Sequence, residues 1–461
     1  MDLTNSEGKI CSRRNLGLRK NKKGGIYMKI NLKKVVSILM LVMLFSFSFV
    51  FFYNNTDAKE ATIKIMRTGY PDEFRVFFKN FIEEYEASHP DVKLETVECD
   101  WGSFGDRLPV WVAGKQEPDI YLMTAGSEAK YASIGAFLPL DDLLNEELKK
   151  LIPEDALSCF TYDGKLIGIP AEIQPCLLWY NKSLFKQAGL NPDMPPRTWE
   201  ELLDYAKQIT EKTDAYGIGS PLSSQGGVYF HTLLAGALYL SATNKPWVDQ
   251  NGRALFNSPE GIKAFQLLVD LTNKYKVTQP NPLESNKGDM RVLFANEKVA
   301  MIIEGGYLLK SLEGITDLSS YETSKFAVAP IPKSPLEGKK AMSVNSTNAW
   351  VISAHTKNPE IAKDVLRELL TTKWQLQHDL TLKIPPFRKD VLSSSDFKYK
   401  WIYKIFQENV EKSLPPTLAI PPLVNEVEMY TILLNYVQKA MVGNLTVEEA
   451  LNRAADEIGN L

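Results

Sequence analysis

The sequence predicts an α/β fold divided into two lobes, and three observations lead to it. The chain has 461 residues, which is too many for one ordinary core when a domain has roughly 150. Strand-like and helix-like segments alternate over residues 61–123, a pattern typical of a mainly parallel sheet. Residues 163–185 hold two apolar strands joined by a short segment with polar side chains, which suggests a crossing between the lobes.

Composition excludes several classes of function. Hydrophobic residues make up 44% of the chain and charged residues 24%, as in soluble globular proteins. The net charge of −3 provides no basic field, so we expect no nucleic-acid partner. The four cysteines, which lack Cys-x-x-Cys spacing, and the four scattered histidines argue against a zinc site. We therefore expect separate thiols and no metal or other cofactor.

Residues 1–58 are predicted to be an N-terminal extension with a signal peptide or membrane anchor. A basic segment, 29–34, precedes the almost wholly apolar segment 35–53, as in a secretory signal. A cut after Ala58 would release the chain, whereas the apolar segment is also just long enough to span a bilayer and stay attached to the membrane. Positive charge before it predicts export, to the extracellular face of the cell membrane or to the periplasm. The patternless first 27 residues lead us to expect translation from Met28.

The folded region begins near Ala61, and its first part alternates strands with helices. Strands are predicted at 63–65, 92–95 and 118–123 from alternating or continuous apolar residues. A helix over roughly 103–113 precedes the third strand. Another helix follows the first strand, and its buried face is predicted from residues at three- and four-residue spacing: Phe74, Phe77, Phe78, Phe81, Ile82 and Tyr85.

The first crossing lies between apolar strands at 166–169 and 176–180. Pro170 and Pro175 bracket the joint, and neither can donate to a central ladder. Beyond it, helices are predicted to begin at Thr198-Trp199, Ser258-Pro259, Pro359 and Thr446-Val447, where capping residues or prolines stand. Strands are predicted at 299–303, 326–330 and 350–352, a second linker at 332–348, and a third crossing at 384–388.

Short motifs stand in a specific order over residues 60–461: Gly164-Lys165, Ile169-Pro170, Leu178-Trp179-Tyr180-Asn181-Lys182, Phe185, Ala188-Gly189, Thr198-Trp199-Glu200-Glu201-Leu202, Lys298-Val299-Ala300-Met301, Gly305-Gly306-Tyr307, Ala329-Pro330-Ile331-Pro332, Lys357-Asn358-Pro359-Glu360-Ile361-Ala362 and Glu448-Glu449-Ala450-Leu451. Each motif alone is weak. In this order the set resembles the extracellular solute-binding proteins of ATP-driven sugar importers, the group that includes maltose-binding protein.

The resemblance implies a type II periplasmic-binding-protein-like fold, in which two α/β lobes exchange the chain three times around a ligand cleft. Lobe 1 would comprise residues 60–171 with 348–386, and lobe 2 residues 172–347 with 387–461. The implied function is capture of a sugar or oligosaccharide outside the membrane by hinge closure, followed by delivery to the transmembrane permease subunits of an ABC transporter. It also implies a monomer that performs no catalysis.

A sugar presents an apolar ring face and a rim of hydroxyls, so its site needs flat aromatic rings and a few planar polar groups. Trp101, which follows a strand, is the candidate platform in lobe 1 unless it packs in its own core. Tyr307, behind two glycines, is the candidate in lobe 2, and the resemblance supports its position. Trp247 is a third candidate platform or, alternatively, the anchor of a surface loop.

Polar candidates lie at the first crossing and after the third strand. Gln174 matches a polar ligand-contacting position of the resemblance. Glu172 either shares that role or is simply solvated. Thr124 stands where the family's chain reaches the cleft, the alternative being a hydroxyl that satisfies a turn.

The remaining candidates have ordinary structural alternatives. Tyr229 and His231 follow a glycine-containing loop, and they line lobe 2 or pack on a helix face. Asn345 and Asn348 lie at the second crossing, where asparagine bonds a ligand hydroxyl or serves turn chemistry. Arg388 reaches an acidic or hydroxyl group, or it stays solvated.

Two other functions compete with sugar binding. A glycoside hydrolase needs two carboxylates that flank the scissile bond. The pairs Asp141-Asp142 and Glu146-Glu147 lie in a leucine-bearing helical stretch and indicate a solvated face, and the common catalytic motifs do not occur. A binding protein for a peptide or polyamine is the second alternative, and the few charges expected in the cleft favour a neutral carbohydrate over it.

Overall fold

The computed structural model describes residues 61–67, 72–225, 230–249, 251–342, 345–410 and 423–461, together with Met40. The strands in these ranges are β1 (Ala61–Met66), β2 (Val92–Thr96), β3 (Ile120–Thr124), β4 (Thr161–Tyr162), β5 (Lys165–Leu166), β6 (Ile169–Pro175), β7 (Leu177–Asn181), β8 (Met301–Glu304), β9 (Phe326–Ala329) and β10 (Asn345–Ile352).

The helices of the described ranges flank these strands. They are α1 (Asp72–Ser88), α2 (Trp101–Gly114), α3 (Glu128–Ala132), α4 (Glu146–Leu151), α5 (Glu154–Ser158), α6 (Lys182–Ala188), α7 (Trp199–Lys212), α8 (Leu234–Thr243), α9 (Pro259–Asn273), α10 (Lys287–Ala295), α11 (Leu308–Leu312), α12 (Pro359–Leu369), α13 (Thr372–Leu382), α14 (Lys389–Leu392), α15 (Lys400–Val410), α16 (Glu426–Met441) and α17 (Val447–Ile458). Short 3₁₀ helices span Asp141–Leu143 and Phe230–Thr232.

The larger sheet has five strands in the order β2-β1-β3-β10-β6. β1 pairs in parallel with β2 and β3, as the strand–helix alternation predicts. β10 is antiparallel to both β3 and β6, so the sheet as a whole is mixed. β6 carries Pro170 and Pro175 and lies at the edge of this sheet, where a residue without an N–H group is tolerated.

The smaller sheet has the order β8-β7-β9, and both of its pairings are antiparallel. The prediction of a mainly parallel sheet was made for residues 61–123 and does not cover this part of the chain. Only Cys176 separates β6 from β7. The backbone thus passes within one residue from the edge of the larger sheet to the centre of the smaller one.

Each sheet is covered on both faces by its own apolar core. In β3, Ile120 and Leu122 pack into one core of the larger sheet while Tyr121 packs into the other. In β7, Leu178 and Trp179 likewise point into separate cores of the smaller sheet. This period of two is expected for a strand that is buried on both faces. The two sheets are therefore independent layers, each with helices on both sides.

Local sequence signals place most helix starts correctly. Thr198 and Ser258 cap α7 and α9 through their side-chain oxygens, as predicted. α2 begins earlier than predicted because the Asp100 carboxylate accepts a hydrogen bond from the Ser103 N–H at 2.9 Å. The second linker, predicted over 332–348, is wrong at its end, since β10 already begins at Asn345. The polar residues there are strand residues because β3 and β6 pair with their backbone.

Replacing Thr446 with alanine should lower the free energy of unfolding by about 1 kcal/mol. The Thr446 hydroxyl accepts from the Glu449 N–H at 3.1 Å, and the Glu449 carboxylate accepts from the Thr446 N–H at 2.9 Å. The measurement is the shift of the urea midpoint. Thr446→Ser keeps the capping oxygen and is the matched control, so an equal loss in both variants would contradict this role of the cap.

Several sequence predictions fall wholly or partly outside the described residues. The apolar segment 35–53 does so apart from Met40, and no helix of the described ranges is long and apolar enough to cross a membrane.

Cys99, Cys159 and Cys176 are buried and form no disulfide bonds. The same ranges contain no group of three or more His, Cys, Asp or Glu side chains that could hold a metal ion.

Candidate functional site

A buried carboxylate, Glu172 of β6, is the centre of a polar network beside the point where the chain leaves the larger sheet. Its side chain has no solvent exposure. The Arg67 guanidinium donates to Oε1 at 2.7 Å, and Oε2 accepts from the Tyr307 hydroxyl at 2.7 Å and from Asn348 Nδ2 at 2.8 Å. Glu172 is therefore neither solvated nor exposed to the cleft.

Strand register brings these partners together. Asn348 of β10 lies opposite Thr124 of β3 on one side and opposite Glu172 of β6 on the other. The Thr124 hydroxyl donates to Asn348 Oδ1 at 2.9 Å, which leaves the Asn348 amide N–H groups directed at Glu172. A register shift between Asn348 and Ala349 is a bulge, a feature that re-aims side chains near functional sites.

Tyr307 comes from the other sheet. It follows β8 through the Gly305-Gly306 turn, which is packed against Gln174 and Pro385. A methyl group on Gly306 would overlap Gln174 Oε1 and the Pro385 ring, so only glycine allows this approach. The hydroxyl of Tyr307 thus reaches from the smaller sheet into the network of the larger one.

Neighbouring charges and burial shift the pKa values of the titratable groups in this network. Burial alone would raise the pKa of Glu172, but Arg67, His378 and the Tyr307 hydroxyl hold that pKa far below its usual value. His378 lies 3.3 Å from Glu172 Oε1 and 3.1 Å from Asp379 Oδ1. Burial lowers the pKa of His378, yet these two carboxylates raise it above its usual value. Burial also raises the pKa of Asp379 to about 6.

Gln174 lies two residues further along β6 and has spare hydrogen-bonding capacity. Its Nε2 donates to the Pro385 carbonyl at 3.0 Å. Its Oε1 is buried and has no hydrogen-bond partner among the described residues. Since a buried amide oxygen normally has a donor, this atom is a candidate acceptor for a ligand hydroxyl.

A second charged cluster lies close to Tyr307. Lys287 and Arg291 of α10 pair with the buried Glu304 carboxylate at 3.2 and 3.1 Å. Burial would raise the pKa of Glu304, but the two cations and the Gly305 N–H lower it. Lys287 Nζ is 5.9 Å from the centroid of the Tyr307 ring. Charged side chains that are paired with one another therefore lie near this proposed platform.

The structure gives other predicted residues different positions. Trp247 is fully buried and stacks on Tyr239 with ring centroids 4.2 Å apart, so it belongs to a core and neither to a platform nor to a surface loop. Arg388 is 2% exposed and pairs with Asp390 and the Leu370 carbonyl, so its charge is satisfied internally rather than by solvent. His231 stacks on Tyr430 with centroids 4.2 Å apart, as its helix-packing alternative predicts.

Three candidates fall wholly or partly outside the described residues. Tyr229 and the side chains of Trp101 and Asn345 lie outside the described residues. The backbone of Trp101 begins α2, and that of Asn345 pairs with Pro175. All three stay predictions.

Sequence reasoning missed Arg67, His378 and Asp379. Arg67 and Glu172 are 105 residues apart, and no local pattern joins them. The only available signal is composition: Arg67 directly follows an apolar strand, and His378-Asp379 interrupts the apolar positions of α13. Polar residues at such places are often buried and paired.

This arrangement of two sheets, with the chain crossing beside a shared polar network, defines a two-lobed α/β binding protein. Bacterial extracellular solute-binding proteins, as a family, match residues 71–376, and the chain belongs to that family. Comparison with solved structures gives the type II periplasmic-binding-protein fold.

Three similar proteins illustrate the relationship. The arabinooligosaccharide-binding protein of Bacillus subtilis (strain 168) is 25% identical over 404 residues, which are 83% of this chain and 88% of that protein. An ABC transporter solute-binding protein from Thermotoga lettingae, solved with alpha-D-tagatose, has a TM-score of 0.76 and 28% identity over 87% of this chain and 99% of that one. A maltose-bound structure from T. maritima has a TM-score of 0.73 and 22% identity over 87% and 99%.

Proposed function

We propose that this protein is the substrate-binding component of an ABC-type carbohydrate importer. The observation that carries the proposal is Tyr307, an aromatic ring held beside the crossing by Glu172 and Asn348. Membership of the solute-binding family supports the class of function. The sugar and oligosaccharide names of the similar proteins support the class of ligand.

The proposed lobes are residues 60–171 with 348–386 and residues 172–347 with 387–461. The apolar cores of the larger sheet draw on residues 63–173 and 349–387, whereas those of the smaller sheet draw on 176–331 and 391–458. These sets divide almost at the proposed boundaries. Hinge closure about the three crossings would then trap the ligand and form the surface that the membrane permease recognises.

The proposed contacts combine one ring with a few polar groups. The Tyr307 ring is half-buried and its hydroxyl is anchored twice, so the platform is oriented before ligand arrives, which lowers the entropic cost of binding. Gln174 Oε1 would accept a ligand hydroxyl, and Thr124 lies at the same end of β3 as the network. Trp101, Tyr229 and Asn345 are kept as further proposed contacts.

The proposed protein performs no catalysis. It is exported and acts as a monomer. A glycoside hydrolase needs one ionised and one protonated carboxyl beside the bond. The two acidic pairs weighed for such a role, Asp141-Asp142 and Glu146-Glu147, are exposed, as expected for a solvated face. Family membership supports a location outside the cell membrane, with residues 1–58 as export signal or anchor.

A thermal-shift panel on the full chain tests the ligand class. An oligosaccharide at a hundredfold its Kd should stabilise the protein by about 2.7 kcal/mol, because only the folded state binds it. We expect arabinotriose or maltotriose to raise Tm by several degrees, with sodium chloride at matched osmolarity as the control. A shift with peptides or polyamines and none with any mono- or oligosaccharide would reject the carbohydrate proposal.

A further inference from the structure

Two buried glutamates, each at the start of a helix beside a different sheet, both lie against Gly126. Glu128 begins α3, four residues after β3 of the larger sheet, and is 2% exposed. Glu426 begins α16, which packs into a core of the smaller sheet, and is 5% exposed. Like charges this deeply buried repel each other unless at least one carboxyl is protonated.

The loop after β3 holds the two carboxyls together. Gly126 has φ of +102°, and a methyl group there would overlap both carboxylate oxygens of Glu426. The Gly126 N–H donates to Glu128 Oε2 at 2.5 Å. Gly126 therefore lies against both side chains.

No counter-charge accompanies the pair in the described part of the chain. The ion pairs found there involve neither Glu128 nor Glu426, and Glu426 Oε2 has no hydrogen-bond partner among the described residues. The titratable groups that face the pair are Tyr430, one turn along α16, and His231 stacked on it. The rest of the wall around Glu426 is apolar, formed by Trp247, Val248, Phe256, Met429, Leu433 and Ile458.

Burial is expected to act on both groups in the same direction. It raises the pKa of Glu128 to about 8. Burial and the neighbouring Glu128 together raise the pKa of Glu426 well above its usual value. If the lobes separate, both carboxyls meet water and their pKa values return towards about 4.3.

We propose that Glu128 and Glu426 form a proton-dependent contact between the lobes, which holds the closed form together in acid and weakens it as the pair ionises. This inference rests on the lobe assignment of the proposed function. The inference adds regulation of ligand capture by pH. Closure of the lobes takes up protons, so capture of ligand is favoured in an acidic medium and release in an alkaline one.

The sign follows from linkage. Groups that bind protons more tightly in the closed form stabilise that form fully below their open-form pKa, and the stabilisation is lost as pH rises through their closed-form pKa. Between these limits, each carboxyl shifts the open–closed equilibrium constant by about tenfold per pH unit.

Spin-label distance measurements on the ligand-free full chain test the contact. Labels are placed at Ile134→Cys, in lobe 1, and Val442→Cys, in lobe 2, because both side chains are exposed. Cys11→Ser removes a further thiol that the spin label could modify. The Glu128→Gln/Glu426→Gln variant mimics the protonated pair and defines the closed distance distribution. We expect the unsubstituted pair to give that distribution at pH 5 and to lose it by pH 9.

Glu428→Gln is the matched control, because Glu428 is an exposed glutamate in the same helix; it should respond to pH as the parent does. Circular dichroism at both pH values verifies that the chain stays folded. A parent distribution that is equal at pH 5 and pH 9 overturns the inference, and so does a double variant that still moves with pH. No sugar is used, so failure here is distinguishable from failure of the carbohydrate panel.

Discussion

Glu172→Gln should lower the free energy of unfolding by about 3–5 kcal/mol, the usual cost of removing one partner of a buried ion pair. The substitution leaves Arg67 and His378, which are 4% and 3% exposed, without their shared counter-charge. Urea unfolding at pH 7 measures the loss. Glu95→Gln is the control, since Glu95 is an exposed residue in the same sheet, and we expect its midpoint to stay unchanged.

The same variant should change the response to acid. Because the folded-state pKa of Glu172 is depressed, its contribution to stability is present above the unfolded pKa of about 4.3 and is lost as pH falls below that value. The parent protein should therefore lose more stability between pH 5 and pH 3 than Glu172→Gln does. Equal midpoints for parent and variant at pH 7, or parallel acid profiles, would contradict the charge-pair role of Glu172.

Parts of this fold could be predicted because their causes are local. The stripe of Phe74, Phe77, Phe78 and Phe81 is buried because helical periodicity puts these side chains on one face. The cap at Thr198 is an interaction across three residues. The resemblance in motif order also predicted the family, which neither signal alone could provide.

Other features depend on partners that are distant in the chain. The segment from Asn345 was predicted to be a linker because its side chains are polar, yet β3 and β6 pair with it on both sides. Trp247 was predicted to be a possible platform, but Tyr239 and Phe230 enclose it. Glu172 was given a cleft or solvent role because its partners, Arg67 and His378, lie 105 and more than 200 residues away.

The network also separates two roles of Tyr307. Its ring belongs to the proposed cleft, whereas its hydroxyl belongs to the buried Glu172 cluster. Burial raises the pKa of Tyr307, and the Glu172 carboxylate raises it further. Orientation of the platform and charge balance of the network are thus properties of one side chain. Substitutions that remove the ring or only the hydroxyl distinguish them.

Tyr307→Ala should weaken oligosaccharide binding by about 30-fold or more, the loss expected for a central aromatic contact worth at least 2 kcal/mol. Tyr307→Phe keeps the ring but removes the hydrogen bonds to Glu172 and Asn348, so we expect a loss of about tenfold or less. Titration calorimetry with the oligosaccharide that raises Tm measures both. Tyr436→Phe removes a surface hydroxyl bonded to Glu457 at 2.8 Å and should leave the affinity unchanged. Equal losses for Tyr307→Phe and Tyr307→Ala would assign the effect to the hydroxyl network, and an unchanged affinity in Tyr307→Ala would remove the ring from the proposed site.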